Sequence, residues 1–225
     1  MKTMKKNAHL EKPTDQKKVS TRERIFDTAI DLFSRKGFDG VSVREIARNV
    51  GIKESSLYNH FPGKDAILAE ILDYYQTEME RISPSEKYLM EKISAMSAHE
   101  FWEKGLANFQ KATEKPVMQK ISKIVVLEMF RDKIARDIAL NELFTRQQEL
   151  SVTIFSLMQK KGLIKKSLNP ELLAMEYTYG MLAMQFEYNI LDNWNLDTAK
   201  VREKMLHHIK FISEYAKSVK GGEDQ

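Results

Sequence analysis

The sequence predicts an all-α protein in which a small N-terminal three-helix unit is joined by a longer connecting helix to a larger helical body. Three observations carry this. Apolar residues recur at i, i+3 and i+4 along most of the chain, no stretch alternates as a strand would, and Gly, Pro and Ser-x-x-Glu signals cut the pattern into segments of helical length. With 225 residues, 42% of them apolar, the chain has enough material to bury a core without covalent staples.

Composition removes several classes of chemistry. There is no Cys, which excludes disulfide frameworks, thiolate nucleophiles, zinc fingers and iron–sulfur ligation, and is compatible with a reducing compartment. The basic N-terminus lacks the apolar centre of a signal peptide, and the longest apolar run, Ile124 to Phe130, is interrupted by Glu128. A soluble, cytoplasmic protein with no membrane partner is expected.

In chain order, residues 1–19 carry Lys2, Lys5, Lys6, Lys12, Lys17 and Lys18 around Pro13 with few apolar residues, so a basic disordered arm is expected there. It is either an arm that touches phosphates or a solvated tail. The first helix starts at Ser20, where Glu23 completes a capping-box spacing. Ile25, Phe26, Ala29, Leu32 and Phe33 form its inward face, and Gly37 closes it. Phe38 and Val41 can join the same core from the connecting loop.

The second helix repeats the device with Ser42 and Glu45, and buries Val43, Ile46, Ala47 and Val50. Gly51 then permits a sharp turn. Leu57 and Phe61 resume the apolar spacing on a third helix, which Pro62 limits to about Glu54 through His60. Two small helices around one turn read as a DNA-reading helix-turn-helix. The outward residues of the third, Lys53, Glu54, Ser55, Ser56, Tyr58, Asn59 and His60, are hydrogen-bonding types suited to a major groove. Charge agrees with this. From 1 to 64, nine Lys and five Arg face eight Asp and Glu, an excess of six positive charges, whereas the other 22 basic and 24 acidic residues leave an excess of two negative ones.

Ser42, Ile46, Ala47, Gly51, Leu57, Tyr58, His60, Phe61, Lys64 and Asp65 together resemble the fingerprint of the TetR family of bacterial transcriptional regulators. Ile-Ala and the turn Gly are shared with other helix-turn-helix proteins, but Tyr-x-His-Phe-x-x-Lys-Asp is more distinctive. The resemblance covers roughly the N-terminal third. It implies a helix-turn-helix DNA-binding domain over 20–66 and a helical regulatory and dimerisation domain over 67–220 that would bind a ligand. It also implies that Tyr58 and Lys64 touch phosphates, that Ser42 and Arg44 anchor the second helix beside the backbone, and that Lys53, Ser55, Ser56 and Asn59 lie near base edges. One departure stands out: where the family often has a small capping residue followed shortly by Gly, this chain has Lys53, Glu54 and Ser55. Taken singly, Tyr58 and His60 could equally fill the junction between helices, and Lys64 could be solvated.

Asp65 opens the connecting helix, with Ile67, Leu68, Ile71, Leu72, Tyr75 and Met79 inward; Ser83, Pro84 and Glu86 read as its end and as the capped start of the next helix. Further helices are expected near 85–95, 98–113, 116–133, 135–160, 170–191 and 197–218, with Gly221 to Gln225 frayed. One apolar stripe runs through Leu143, Leu150, Ile154, Leu157 and Met158. Another runs through Leu172, Tyr179, Gly180, Ala183 and Met184, whose small members would let helices approach closely. Spacing alone leaves open whether these stripes pack inside one subunit; the resemblance implies a homodimer interface containing Leu150, Ile154, Leu157, Tyr179, Gly180, Ala183 and Met184.

The resemblance further implies a small-molecule effector inside the C-terminal body, shifting the connecting helix. Phe101, Trp102, Phe109, Met118, Met129, Phe130, Tyr177 and Met181 are the candidate lining, as Met and aromatic side chains suit an adaptable apolar site; the same residues would also make an ordinary core. Gly105 could permit a bend or close contact, and Glu128 and Glu176, if buried, could select a cation. No cofactor or metal is expected. There is no phosphate-binding Gly-rich loop and no His-Glu-x-x-His, and adjacent His207 and His208 diverge by about 100° on a helix, so an enzyme is not expected. The remaining alternative is a DNA-binding regulator or architectural protein without a small-molecule ligand, controlled by a protein partner. Repression rather than activation is implied by the resemblance alone.

Overall fold

The computed structural model describes residues 19–218, so the expected basic arm and the frayed C-terminal end lie outside the described residues. Within them the chain is helical from end to end. Among the described residues there is no strand, only one isolated antiparallel bridge between Ile164 and Lys217.

Helix α1 (Thr21–Lys36) opens with both halves of its capping box: Ser20 Oγ accepts from Glu23 N, and the Glu23 carboxylate accepts from Ser20 N at 2.7 Å. Its end is set by Gly37 at φ 72°, a conformation other residues adopt only at a cost. Helix α2 (Val43–Val50) realises half of its expected box. Ser42 Oγ accepts from Glu45 N at 3.1 Å, but the Glu45 carboxylate turns instead to Lys36 Nζ, 2.6 Å away. Gly51 reverses the chain in the left-handed region at φ 78°. Helix α3 (Glu54–Tyr58) is two residues shorter than expected, because Asn59 and His60 already turn toward Pro62.

Helix α4 (Lys64–Ile82) follows, and α5 (Glu86–Ala95) corrects an expectation. Its cap is Ser85, whose oxygen accepts from Tyr88 N, so Ser83 and Pro84 stay outside the helix. Helix α6 (Ala98–Thr113) carries a complete Ser97/Glu100 capping box, and α7 (Pro116–Glu128) ends five residues before the expected 133. The reason is Asp132, which accepts from Ala135 N at 2.8 Å and starts α8 (Lys133–Ala139) afresh. The expected single helix over 135–160 contains one widened turn, a π-helical segment Leu140–Thr145, before α9 (Arg146–Lys160). Helices α10 (Pro170–Asn193) and α11 (Ala199–Ala216) complete the fold.

Three short N-terminal helices cannot bury much surface by themselves. Their core is continuous with the body: Ile25, Phe33, Ile46, Leu57 and Ile71 belong to one apolar cluster with Ile121 and Ile124 of α7 and Ile138 of α8. This cluster runs across residue 66, where the sequence suggested a domain boundary. A second cluster, around Trp102, Phe155, Met158, Ala174 and Ile209, joins α5, α6, α9, α10 and α11. Helix α7 returns the chain to the N-terminal unit, packing against both α1 and α4. Among the described residues no helix is long and apolar enough to cross a membrane.

Candidate nucleic-acid interface and cavity

Burial of Ile46, Ala47, Val50 and Leu57 pulls α2 and α3 against α1 and leaves their polar residues outward. Ser42, Arg44, Lys53, Glu54, Ser55, Tyr58 and Asn59 are exposed, while Ser56 and His60 are half-buried. Tyr58 is 50% exposed, which a residue filling the helix junction would not be. One exposed side chain beyond those expected joins this face. Arg48 lies one turn after Arg44 on α2, and the two border a shallow cleft with Ile52 and Glu54. The i, i+4 spacing of the two arginines was the available signal.

The face is held by arginines from α1 that local spacing could not reveal. Arg22 Nη1 donates to His60 O at 2.6 Å, its guanidinium sits 4.1 Å over the Phe61 ring, and it pairs with Glu70 of α4. Arg24 donates to Val50 O, beside the turn glycine. Each fixes a carbonyl near a helix end to the scaffold helix.

Lys64 is placed differently from a solvated lysine. Its Nζ donates to Phe38 O at 2.8 Å and to Val41 O at 2.9 Å, and rests 4.0 Å from the Phe38 ring centroid. Two of three ammonium protons thus hold the α1–α2 loop. On the other side of that loop the buried Glu128 accepts from Phe38 N at 2.9 Å. Glu128, read as a possible selector of cations, therefore faces away from any ligand space, and Glu176 is exposed.

A cavity of about 1550 Å³ opens in the body, bounded by α4, α6, α7, α9 and α10. Phe101, Trp102, Phe109, Met118, Tyr177 and Met181 line it as expected. Met129 and Phe130 do not. Because α7 stops at Glu128, Met129 packs on the first apolar cluster and Phe130 is 86% exposed in the following turn. Gly105 borders the cavity with nothing within 4 Å of where a Cβ would lie, so it makes no close contact.

The cavity wall is partly aromatic, with the Tyr177 and Trp102 rings 4.1 Å apart, centroid to centroid, and tilted by 40°, and Phe155 backing Trp102 from the core at 5.0 Å. Burial pushes the Tyr177 hydroxyl far above the ordinary phenol range, keeping it neutral as a hydrogen-bonding group. Burial also raises Tyr75, with a hydrogen bond to Ser122 acting against it. The one-turn π-helix brings a carboxylate that the sequence reading overlooked: Glu142, 1% exposed, accepts from Arg146 Nη1 at 3.2 Å and Asn141 Nδ2 at 2.9 Å on the cavity wall. A mostly apolar chamber with a few fixed polar groups can hold a small organic molecule.

The expected dimer residues divide. Ile154 and Leu157 are buried in the subunit's own second cluster, Leu150 packs on that cluster, and Met184 packs on Tyr188, Val201 and Met205. Gly180 also serves within the subunit, since a Cβ there would lie 2.8 Å from the His208 ring of α11. Ile154 and Leu157 are committed to the subunit's own core, whereas Leu150, Gly180 and Met184 pack inside the subunit and stay half-buried. Tyr179 and Ala183 remain exposed, and with Leu172 and Met175 they form an uncovered stripe on α10; Phe211 and Tyr215 form another on α11. His207 is exposed while His208 meets Tyr177, so the two do not converge, and no metal-holding group of His, Asp and Glu is found among the described residues.

Residues 25–71 match the sequence model described as bacterial regulatory proteins, tetR family. Over 46 residues the chain is 50% identical to the biofilm operon icaADBC HTH-type negative transcriptional regulator IcaR of Staphylococcus aureus (strain Newman), a match covering 20% of this chain and 25% of that one. The chain thus spans about a quarter of the length of this curated relative. Similar solved structures cover nearly everything. A TetR family transcriptional regulator from Pseudomonas syringae pv. tomato str. DC3000 gives a TM-score of 0.62 at 20% identity, covering 91% of this chain and 98% of that one. The SmeT–triclosan complex gives 0.61 at 15% identity, covering 89% and 93%. At such identities the likeness is one of fold.

Proposed function

We propose that the chain, whose residues 25–71 match the tetR family of bacterial regulatory proteins, is a cytoplasmic homodimeric repressor that binds a palindromic operator and releases it when a small molecule occupies the body cavity. The activity is binding alone, with no chemical step. One observation carries this reading: α4 and α7 each line the cavity and each pack into the core of the DNA-reading unit, so a ligand that favours one arrangement of these helices biases the other site.

Tyr58, Arg44, Arg48 and the ends of α2 and α3 take the phosphates, and Lys53, Ser55, Ser56 and Asn59 meet base edges. Glu54 accepts from a cytosine amino group or is turned away by phosphate, which makes it a determinant of preference. The exposed stripes on α10 and α11 pair two subunits, setting two reading units about one DNA turn, roughly 34 to 36 Å, apart. Repression is supported by the naming of IcaR as a negative regulator, and an apolar ligand by the triclosan bound in a protein of similar fold.

The test is binding to DNA upstream of the chain's own gene at fixed salt, with and without a metabolite library. Ligand-induced release of a site-selective complex is expected. Binding without site preference, or release only by a protein partner, would overturn the ligand-gated reading.

A further inference from the structure

We propose that Glu128 is a positioning residue for the DNA-reading unit and that α7 is a second transmission line from the cavity, separate from the connecting helix α4. Glu128 is the last residue of α7 and is 2% exposed. A carboxylate so deeply set calls for strong hydrogen-bond donors. Its donor is a backbone amide on the other side of the core, Phe38 N at 2.9 Å. Gly37, at φ 72°, turns the chain into this contact, and a Cβ there would still stand at an ordinary 3.6 Å from Glu128 Oε1.

The loop that Glu128 grips leads directly into Ser42, the cap of α2. Lys64 holds the two carbonyls of the same loop from the start of α4. Residues 38–41 are thereby clasped between the first residue of α4 and the last of α7, and the N-terminus of α2 moves with them. A Lys120–Asp31 ion pair ties α7 to α1 as well.

The two faces of α7 have different neighbours. Met118, Ser122 and Val126 recur every fourth residue and line the cavity, Met118 also reaching the core shared with the reading unit; Ile121, Ile124 and Glu128 are buried away from the cavity, and both isoleucines lie in that core. From Val126 to Glu128 the helix turns by about 200°, so the two side chains lie on opposite sides of one rigid rod. A ligand that displaces Val126 must shift or rotate the carboxylate that holds Phe38. This regulatory step rests on the ligand-gated reading above; the positioning role of Glu128 does not.

The experiment combines Glu128→Gln, Glu128→Leu, Val126→Phe as an occupant built into the wall, and the double variant Val126→Phe/Glu128→Leu. Each is measured for amide exchange at Phe38 and for affinity at fixed salt toward a duplex selected by the wild type from a random pool. In the wild type, Phe38 N–H is expected to exchange more slowly than the exposed neighbours Asp39 and Gly40; equal rates would overturn the clasp whether or not any variant folds. Glu128→Leu is expected to lose this protection and weaken DNA binding about tenfold, within the range of couplings between sites, while Glu128→Gln, which keeps an acceptor, stays within about twofold. Val126→Phe is expected to weaken binding with Glu128 present and to add little in the Glu128→Leu background. A folded Glu128→Leu variant that binds like wild type, or an equal Val126→Phe effect in both backgrounds, would overturn the proposal. No arm needs a ligand, so a metabolite screen that releases nothing overturns only the ligand-gated reading.

Discussion

Replacing Lys64 by Met distinguishes a clamp from a phosphate contact, because it keeps the aliphatic stem and removes the ammonium. The structure gives three contacts to lose: hydrogen bonds to Phe38 O and Val41 O, and the approach to the Phe38 ring. Hydrogen bonds to a charged group contribute about 1.5 kcal/mol each at the lower end of their range, which suits a half-buried lysine, and a partly exposed cation–π contact adds about 0.5 kcal/mol. The expected cost is roughly 2 to 4 kcal/mol of stability, with no DNA present. Urea unfolding followed by circular dichroism, wild type and variant side by side, reads it directly. A lysine that served only phosphates would be worth within about 0.5 kcal/mol in the free protein. Superimposable unfolding curves would therefore refute the clamp.

Other expected outcomes concern the remaining faces. Tyr58→Phe and Arg44→Ala should weaken binding to all duplexes alike and lower the salt slope by about one per lost phosphate contact; an unchanged slope would remove that residue from the phosphate set. Gly180→Leu should drive His208 off Tyr177 and part α10 from α11, costing about 1 to 3 kcal/mol as overpacking does, read as a lower unfolding midpoint. Tyr179→Glu together with Phe211→Glu should convert a dimer to monomers in sedimentation equilibrium, while circular dichroism stays that of the wild type; an unaltered dimer would place the interface elsewhere.

What the sequence showed and hid follows from the range of each interaction. Caps and turns act over three or four residues, so Ser20 with Glu23, Gly37, Gly51 and the outward polar residues of α2 and α3 could be read directly. Helical spacing also found six of the cavity residues, because Phe101, Trp102, Met118 and their neighbours share faces of long helices. It misplaced Met129 and Phe130 because Asp132 stops α7 by capping the next helix, a competition between two helix signals a few residues apart. Spacing gives no partner either. Ile154 and Leu157 have the pattern of an interface and are buried inside the subunit, whereas Phe211 and Tyr215 on the last helix stay uncovered. The contacts that organise the reading unit, Arg22 to His60, Lys64 to Phe38 and Val41, and Glu128 to Phe38, link residues 23 to 90 positions apart, and no local pattern encodes them.

The central claim is that one dimer reads two half-sites and lets go when its cavity is filled. Selection of duplexes from a random pool by the full-length protein, followed by footprinting and by measurement of the bound mass, tests it most directly. The account predicts enrichment of a near-palindrome with half-sites about one helical turn apart, bound by a whole number of dimers. A bound pool with no sequence in common, or a single half-site held by one chain, would contradict it.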